Sequence, residues 1–277
     1  RRLLRYSGAC GNMAASGEIK TATMGFRTKA QSTARQTNML RIAIVLIIAI
    51  GWEALSRSGL LFRDVVPSLV AIGSAMWKLL ISPAFYANLQ VTAWEIFLSL
   101  AIGSSLGIFV GIVLGANRFM SWAYEHYVYY LAPTPRIIFF PVMIMWFGVG
   151  IASKIALGAL SCFFTVALST AGGMRQIDKV LIRVGKSFRA TSWQMGMKIY
   201  LPAMRVPVLN GIRLGFGTAT VTCLLAETKL SNQGLGYMIM QIYSRFDMPS
   251  LYGLLIIVFI LAGIGNLILG KVTGTSA

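Results

Sequence analysis

Residues able to make or break bonds are scarce in this sequence. Its 277 residues include one histidine (His126), three cysteines and eight acids. Cys10, Cys162 and Cys223 lie far apart and form no CxxC pair, so neither a disulfide framework nor a zinc site is indicated. Cys162 and Cys223 fall in apolar runs, where cysteine serves as a small hydrophobe. His126 sits in the aromatic stretch 124–130 and reads as a packed or interfacial side chain. A membrane-embedded enzyme would need clustered His, Asp or Glu, and these are absent. No catalytic residue and no metal ligand is therefore assigned. The charged groups present are mainly cations, 25 Lys plus Arg giving a net charge of +17.

The elements that must position these groups are apolar. Hydrophobic residues make up 56% of the chain and charged ones only 12%, about half the charge of a soluble domain. A soluble nucleic-acid binder could be as basic but not as apolar, so nucleic acid is excluded as a partner and membrane lipid is expected. At roughly 20 residues per helical span, the length admits about five to seven spans.

Residues 1–38 hold seven Lys and Arg against Glu18 amid Ser, Thr, Gly and Gln, which predicts a solvated, disordered basic arm. It has no apolar core of the kind a cleaved signal needs, and Met13 or Met24 is the expected start. Apolar runs then follow at 42–55, 96–117 with its upstream extension 88–95, 121–153, 155–174, 206–227 and 248–270. A shorter helix-like stretch covers 69–81, and residues 228–247 read as a Gly-bearing polar loop. Residues 175–205 carry Arg175, Lys179, Arg183, Lys186, Arg189, Lys198 and Arg205 against Asp178 alone. Cytoplasmic loops collect such charge. That rule predicts an all-α integral membrane protein with six spans over 39–271, both termini and the 175–205 loop inside.

That loop is long for a connection. Within it Val184, Phe188, Trp193, Met197 and Leu201 alternate with Lys and Arg at roughly helical spacing, a face suited to a membrane surface or to another protein. Its order of residues is more specific. Arg183-Val184-Gly185 is followed three residues later by Arg189-Ala190, and then by Ile199, Leu201 and Pro202, with Gly196 between. Upstream stand Leu131-Ala132-Pro133-Thr134-Pro135 and Trp146-Phe147-Gly148-Val149-Gly150; downstream, Ala226-Glu227 and Gly234-Leu235-Gly236-Tyr237. Together these resemble the signatures of binding-protein-dependent ABC importer permeases, nitrate/sulfonate/taurine/bicarbonate branch, in order over roughly residues 40–270.

The resemblance implies a methionine-importer-like type I permease fold in a bacterial inner membrane. It further implies a homodimer, two ABC ATPase subunits docked below, and a periplasmic or lipid-anchored binding protein that delivers a small, anionic solute. ATP and Mg belong to the ATPase, since this chain has no GxxxxGK[ST] phosphate loop. Residues 183–202 (Arg183, Val184, Gly185, Lys186, Phe188, Arg189, Ala190, Trp193, Gly196, Ile199, Leu201, Pro202) become the ATPase-coupling loop. Departures are plain: the family's Glu-Ala-Ala is Arg183-Val184-Gly185, and its turn glycine is Arg189, where a left-handed conformation costs about 1 kcal/mol, to be offset by docking contacts or avoided by another turn geometry. A secondary transporter is the alternative, but it would use intramembrane acids and internal repeats, and neither stands out.

Candidates for the pathway or gate are Pro133, Pro135, Arg136, Trp146, Phe147, Arg213 and Glu227. Prolines free backbone groups that a bilayer tolerates only where protein or a water-lined cavity satisfies them. Arg213 either counters an anion or snorkels to headgroups. Glu227 is either a solvated helix end at the outer face or a gate, and Glu53, Glu95 and Lys154 are placed near the interfaces or in loops. Gly103, Gly107, Gly111 and Gly115 form a ladder that predicts close helix packing.

Overall fold

The computed structural model describes residues 37, 39–58, 65–116 and 118–272. The arm 1–36 and Cys10 lie outside the described residues. Two compact units divide at 69/70. In the first, α1 (Met39–Arg57) is an apolar helix long enough to cross a bilayer. The segment leaving it is tied back: Trp52 Nε1 donates to Pro67 O at 3.0 Å and Ser56 Oγ to Val66 O at 2.9 Å. Glu53 pairs with Arg57 at 2.8 Å and accepts the Leu69 N–H at 3.1 Å, using its helix-end position to satisfy a free donor.

The second unit holds α2 (Leu69–Ile81), α3 (Pro83–Ala116), α4 (Arg118–Leu131), α5 (Phe140–Phe147), α6 (Ile151–Arg175), α7 (Lys179–Ser187), α8 (Ser192–Met195), α9 (Leu201–Ala203), α10 (Arg205–Lys229), α11 (Leu235–Ser244) and α12 (Met248–Val272). Its centre is α6, with α3 on one side and α10 on the other. The glycine ladder brings α3 and α6 together in parallel: Gly103 faces Ala159 and Cys162, Gly107 faces Val166, and Gly111 faces Thr170. A Cβ at Gly107 would lie 2.8 Å from Val166 Cβ, so only glycine admits this approach, as the four-residue spacing predicts. Gly211 and Gly215 seat α10 antiparallel against Ser169 and Cys162. Gly265 of α12 in turn receives the Phe216 ring.

Two elements differ from expectation. The run 121–153 is no single kinked helix: 119–131 and 136–147 are bent by 91°. Pro133 and Pro135 exclude helical hydrogen bonding on both sides of Thr134, and the chain restarts as a 3-10 turn at Arg136–Phe139. Residues 228–247, read as loop, contain α11, whose Leu235 packs with Phe85 and Leu254. At ten residues it is too short to stand out as a span, and it is flanked by the polar stretches 228–233 and 244–247.

Candidate functional site

Residues 179–203 form two short helices crossing at a close contact. Asp178 caps α7, its carboxylate accepting the Val180 N–H at 2.8 Å, a common use of Asp at this position. The helix ends with Arg189 in the left-handed region, φ 51°. There the Arg189 N–H bonds Lys186 O at 2.9 Å and the Ala190 N–H bonds Gly185 O at 3.0 Å. This pair of bonds closes a helix end that usually takes glycine, so the expected strained turn is present. Thr191 and Gln194 then cap the second helix reciprocally, Gln194 N to Thr191 Oγ1 at 3.3 Å and Thr191 N to Gln194 Oε1 at 3.0 Å. A π turn at Gly196–Tyr200 widens the backbone just before Pro202, which cannot donate a helical hydrogen bond.

Gly185, one departure from the family pattern, lies at this crossing. A Cβ there would stand 2.5 Å from both Met195 Sδ and Ile199 Cδ1, so alanine at the crossing would require these two side-chain ends to shift. Ile199 is thus internal to the segment. Below the crossing, Ile182, Tyr200 and Met204 join Ile112 of α3, Met174 of α6 and Val208 of α10 in one apolar cluster. The opposite face is bare: Phe188 is 83% exposed and Trp193 71%, with Val184, Met197 and Leu201 also exposed. Arg183, Lys186 and Arg189 are exposed on the same segment.

At the far end of α6 the structure assembles a buried polar cluster that the sequence reading dispersed. Lys154, expected in a loop, is 2% exposed within α6, and Glu95, expected near an interface, is fully buried within α3. Their Nζ and Oε1 atoms lie 2.8 Å apart, and Lys154 Nζ also donates to Ser231 Oγ at 2.7 Å. Glu227 is not a solvated helix end. It is 1% exposed, accepts from Thr92 Oγ1 at 2.7 Å and from the Gly236 N–H at 2.6 Å. Gly234 (φ 109°) presses its Cα side against that carboxylate. The Gly234-Leu235-Gly236-Tyr237 motif is therefore the clasp by which the α11 start closes on Ala226-Glu227. Thr92 and Glu95, three residues apart on α3, share the face that meets it; that spacing was the available signal.

The pathway candidates separate. Pro133 and Pro135 make the bend. Trp146 and Phe147 end α5 with 73% and 52% exposure, and Gly148 (φ 77°) stops the helix there. The half-buried Arg136 lies with its guanidinium over the Phe164 ring, 5.9 Å from the centroid, and donates to Ala132 O. Arg213 Nε donates to Asn266 Oδ1 at 2.8 Å, tying α10 to α12. Arg175 pairs with Glu125, fixing α4 to the basic end of α6.

These features define a multi-pass helical membrane protein with a broken span and an externally presented helical segment at its basic end. Residues 103–272 match the family described as binding-protein-dependent transport system inner membrane component, and the chain belongs to it. It is 33% identical over 195 residues to SsuC of Bacillus subtilis (strain 168), a permease named for aliphatic sulfonate transport, covering 70% of each chain. Over 154 residues it is 31% identical to the taurine transport system permease protein TauC of Escherichia coli (strain K12), covering 56% of each. Its fold is similar to that of a chain of the MetNI methionine ABC transporter, solved in inward-facing conformations, with a TM-score of 0.63 at 18% identity over 73% of this chain and 98% of that one. The chain is an ABC transporter permease subunit of type I fold.

Proposed function

We propose that two copies of this chain form the pathway of an ATP-driven importer in a bacterial cytoplasmic membrane, with residues 183–202 docking into a separate ATPase. The supporting observation is the geometry of that segment. Its apolar side chains stay exposed on one face, while its other face is packed onto the ends of α3, α6 and α10. A push on Phe188 or Trp193 reaches three spans at once. Each large apolar side chain removed from water by docking contributes roughly 1.5–3 kcal/mol, and Lys186 and Arg189 add a salt-sensitive attraction to an acidic rim. ATP and Mg act on the ATPase; this chain transmits motion.

The basic arm and loop place both termini and residues 175–205 on the cytoplasmic side, so the Glu227 clasp and α11 face the periplasmic or lipid-anchored binding protein. The solute is a small anion of the kind for which SsuC and TauC are named, and Trp146, Phe147 and the 91° bend line its path. The test is charge reversal. Lys186→Glu with Arg189→Glu should weaken ATPase copurification and uncouple ATP hydrolysis from uptake, with normal membrane insertion. An ATPase that stays bound and coupled at both low and moderate salt, in this variant and in Trp193→Asp, would remove the segment from the coupling role.

A further inference from the structure

The inference concerns α4 and rests on the importer reading for the side of the membrane it assigns. A helix that crosses a bilayer changes depth by about 1.5 Å per residue, and α4 does not. Just before it begins, Gly115 lies against Met174, next to last in α6. Past the middle of α4, Glu125 still pairs with Arg175, the last residue of α6. A helix entering the bilayer at Arg118 would by then stand about 10 Å deeper. The axes agree. Beyond the bend the chain climbs along α6, with Arg136 over Phe164 and then Phe140 and Met143 packed with Leu157. That makes α5 and α6 an antiparallel hairpin joined through 148–150. The segment 136–147 is turned 91° from 119–131, so α4 runs across the spans and not among them.

The side chains suit that position. None of those described on α4 is buried. Trp122 is 82% exposed, and Tyr124, Tyr127, Tyr129 and Tyr130 are exposed around it. Leu and Ile would suit hydrocarbon, and Lys and Glu would suit water. Rings with an apolar body and one polar tip suit the layer between. Charge agrees as well. Glu125 is the only acid in α4 and is already paired with Arg175, so no bare carboxylate meets lipid phosphates. We propose that α4 lies flat in the headgroup layer of the cytoplasmic leaflet, its Trp and Tyr side chains held by phospholipid. The crossing between α3 and α6 is then made by 132–147 alone, and the sides assigned to the two termini stay as they were. Such a helix is anchored to the interface without spanning it. Through the Glu125–Arg175 pair it braces the end of α6 from which the coupling segment departs at Asp178.

The experiment uses the assembled transporter with its ATPase in vesicles of phosphatidylethanolamine and phosphatidylglycerol, with Cys10, Cys162 and Cys223 replaced by alanine. Trp122→Cys and Tyr129→Cys lie two turns apart on one face of α4, and Phe259→Cys is exposed half-way along α12. Each single thiol carries a nitrobenzoxadiazole label. Depth is read from quenching by lipids bearing a nitroxide on the headgroup, near the glycerol or near the chain end. Both α4 labels should be quenched most by the headgroup nitroxide and report one depth, while the label at 259 answers to the deep nitroxide. Depths at 122 and 129 that differ by about 10 Å, as along a spanning helix, would overturn the proposal. So would α4 labels that no lipid quenches, because a second copy or the ATPase then covers this face. ATPase copurification from the same preparations reads the importer assignment separately, and depth is measured whichever way that falls.

Discussion

Removing Lys154 should expose how much the far-end cluster depends on charge balance. In Lys154→Met the apolar stem is kept and the ammonium lost, leaving Glu95, fully buried, without the cation 2.8 Å away. Its Oε2 has no hydrogen-bond partner among the described residues, and Glu227 adds a second buried carboxylate anchored on α10. Breaking one side of a buried pair costs about 3–5 kcal/mol, whereas replacing both members by neutral groups of similar volume is often close to neutral. The single variant should therefore melt well below the parent in detergent, by about 6–20 °C at roughly 2–4 °C per kcal/mol for a protein of this size. Lys154→Met with Glu95→Gln should recover most of that loss, a coupling of about 3 kcal/mol or less. Melting curves of the parent, both singles and the double form the cycle. A Lys154→Met variant within about 0.5 kcal/mol of the parent, the range of an ordinary surface change, would refute the reasoning. So would a double variant as unstable as the worse single.

Gly107→Ala should lose folded protein by about 1–3 kcal/mol, because its Cβ would meet Val166 Cβ at 2.8 Å, while Gly73→Ala, with open space around it, should not; yield and melting temperature compare them. Arg189→Gly should relieve about 1 kcal/mol at the left-handed turn, read from melting, while the loss of one of the two cations slightly weakens ATPase pull-down at low salt and not at moderate salt. Trp146→Ala should impair uptake without altering dimer or ATPase assembly, as gel filtration and transport assays would show. In a background without native cysteines, Asn232→Cys should react with an impermeant thiol reagent on intact cells and Ser187→Cys should not; labelling of the second would invert the topology.

The long spans were legible because uninterrupted apolar runs announce them whatever they pack against. So was the close approach of α3 to α6, since a ladder at Gly103, Gly107 and Gly111 marks one helical face. Arg189 was half legible: its place at the family's turn glycine left a left-handed turn or another geometry open, and φ of 51° decides for the first. The polar cluster was not. Glu95, Lys154 and Glu227 stand 59 and 73 residues apart in turn, each looking like a charge near a span end. Nothing local says that three helices bring them together. α11 was missed because ten residues flanked by polar stretches do not stand out as a span.

Composition and order, taken alone, determined that this chain crosses a membrane several times, where its basic segment falls, and which family signatures it carries. These depend on the transfer free energy of successive side chains and on spacing along one helix, both local quantities. Tertiary structure decided the rest: that Gly185 makes room for Met195 and Ile199, that the Gly234–Tyr237 motif clasps Glu227, and that Arg136 stands over Phe164 at mid-span. Each depends on which faces of distant helices meet, and burial and pairing of a charge are properties of that meeting rather than of the residue.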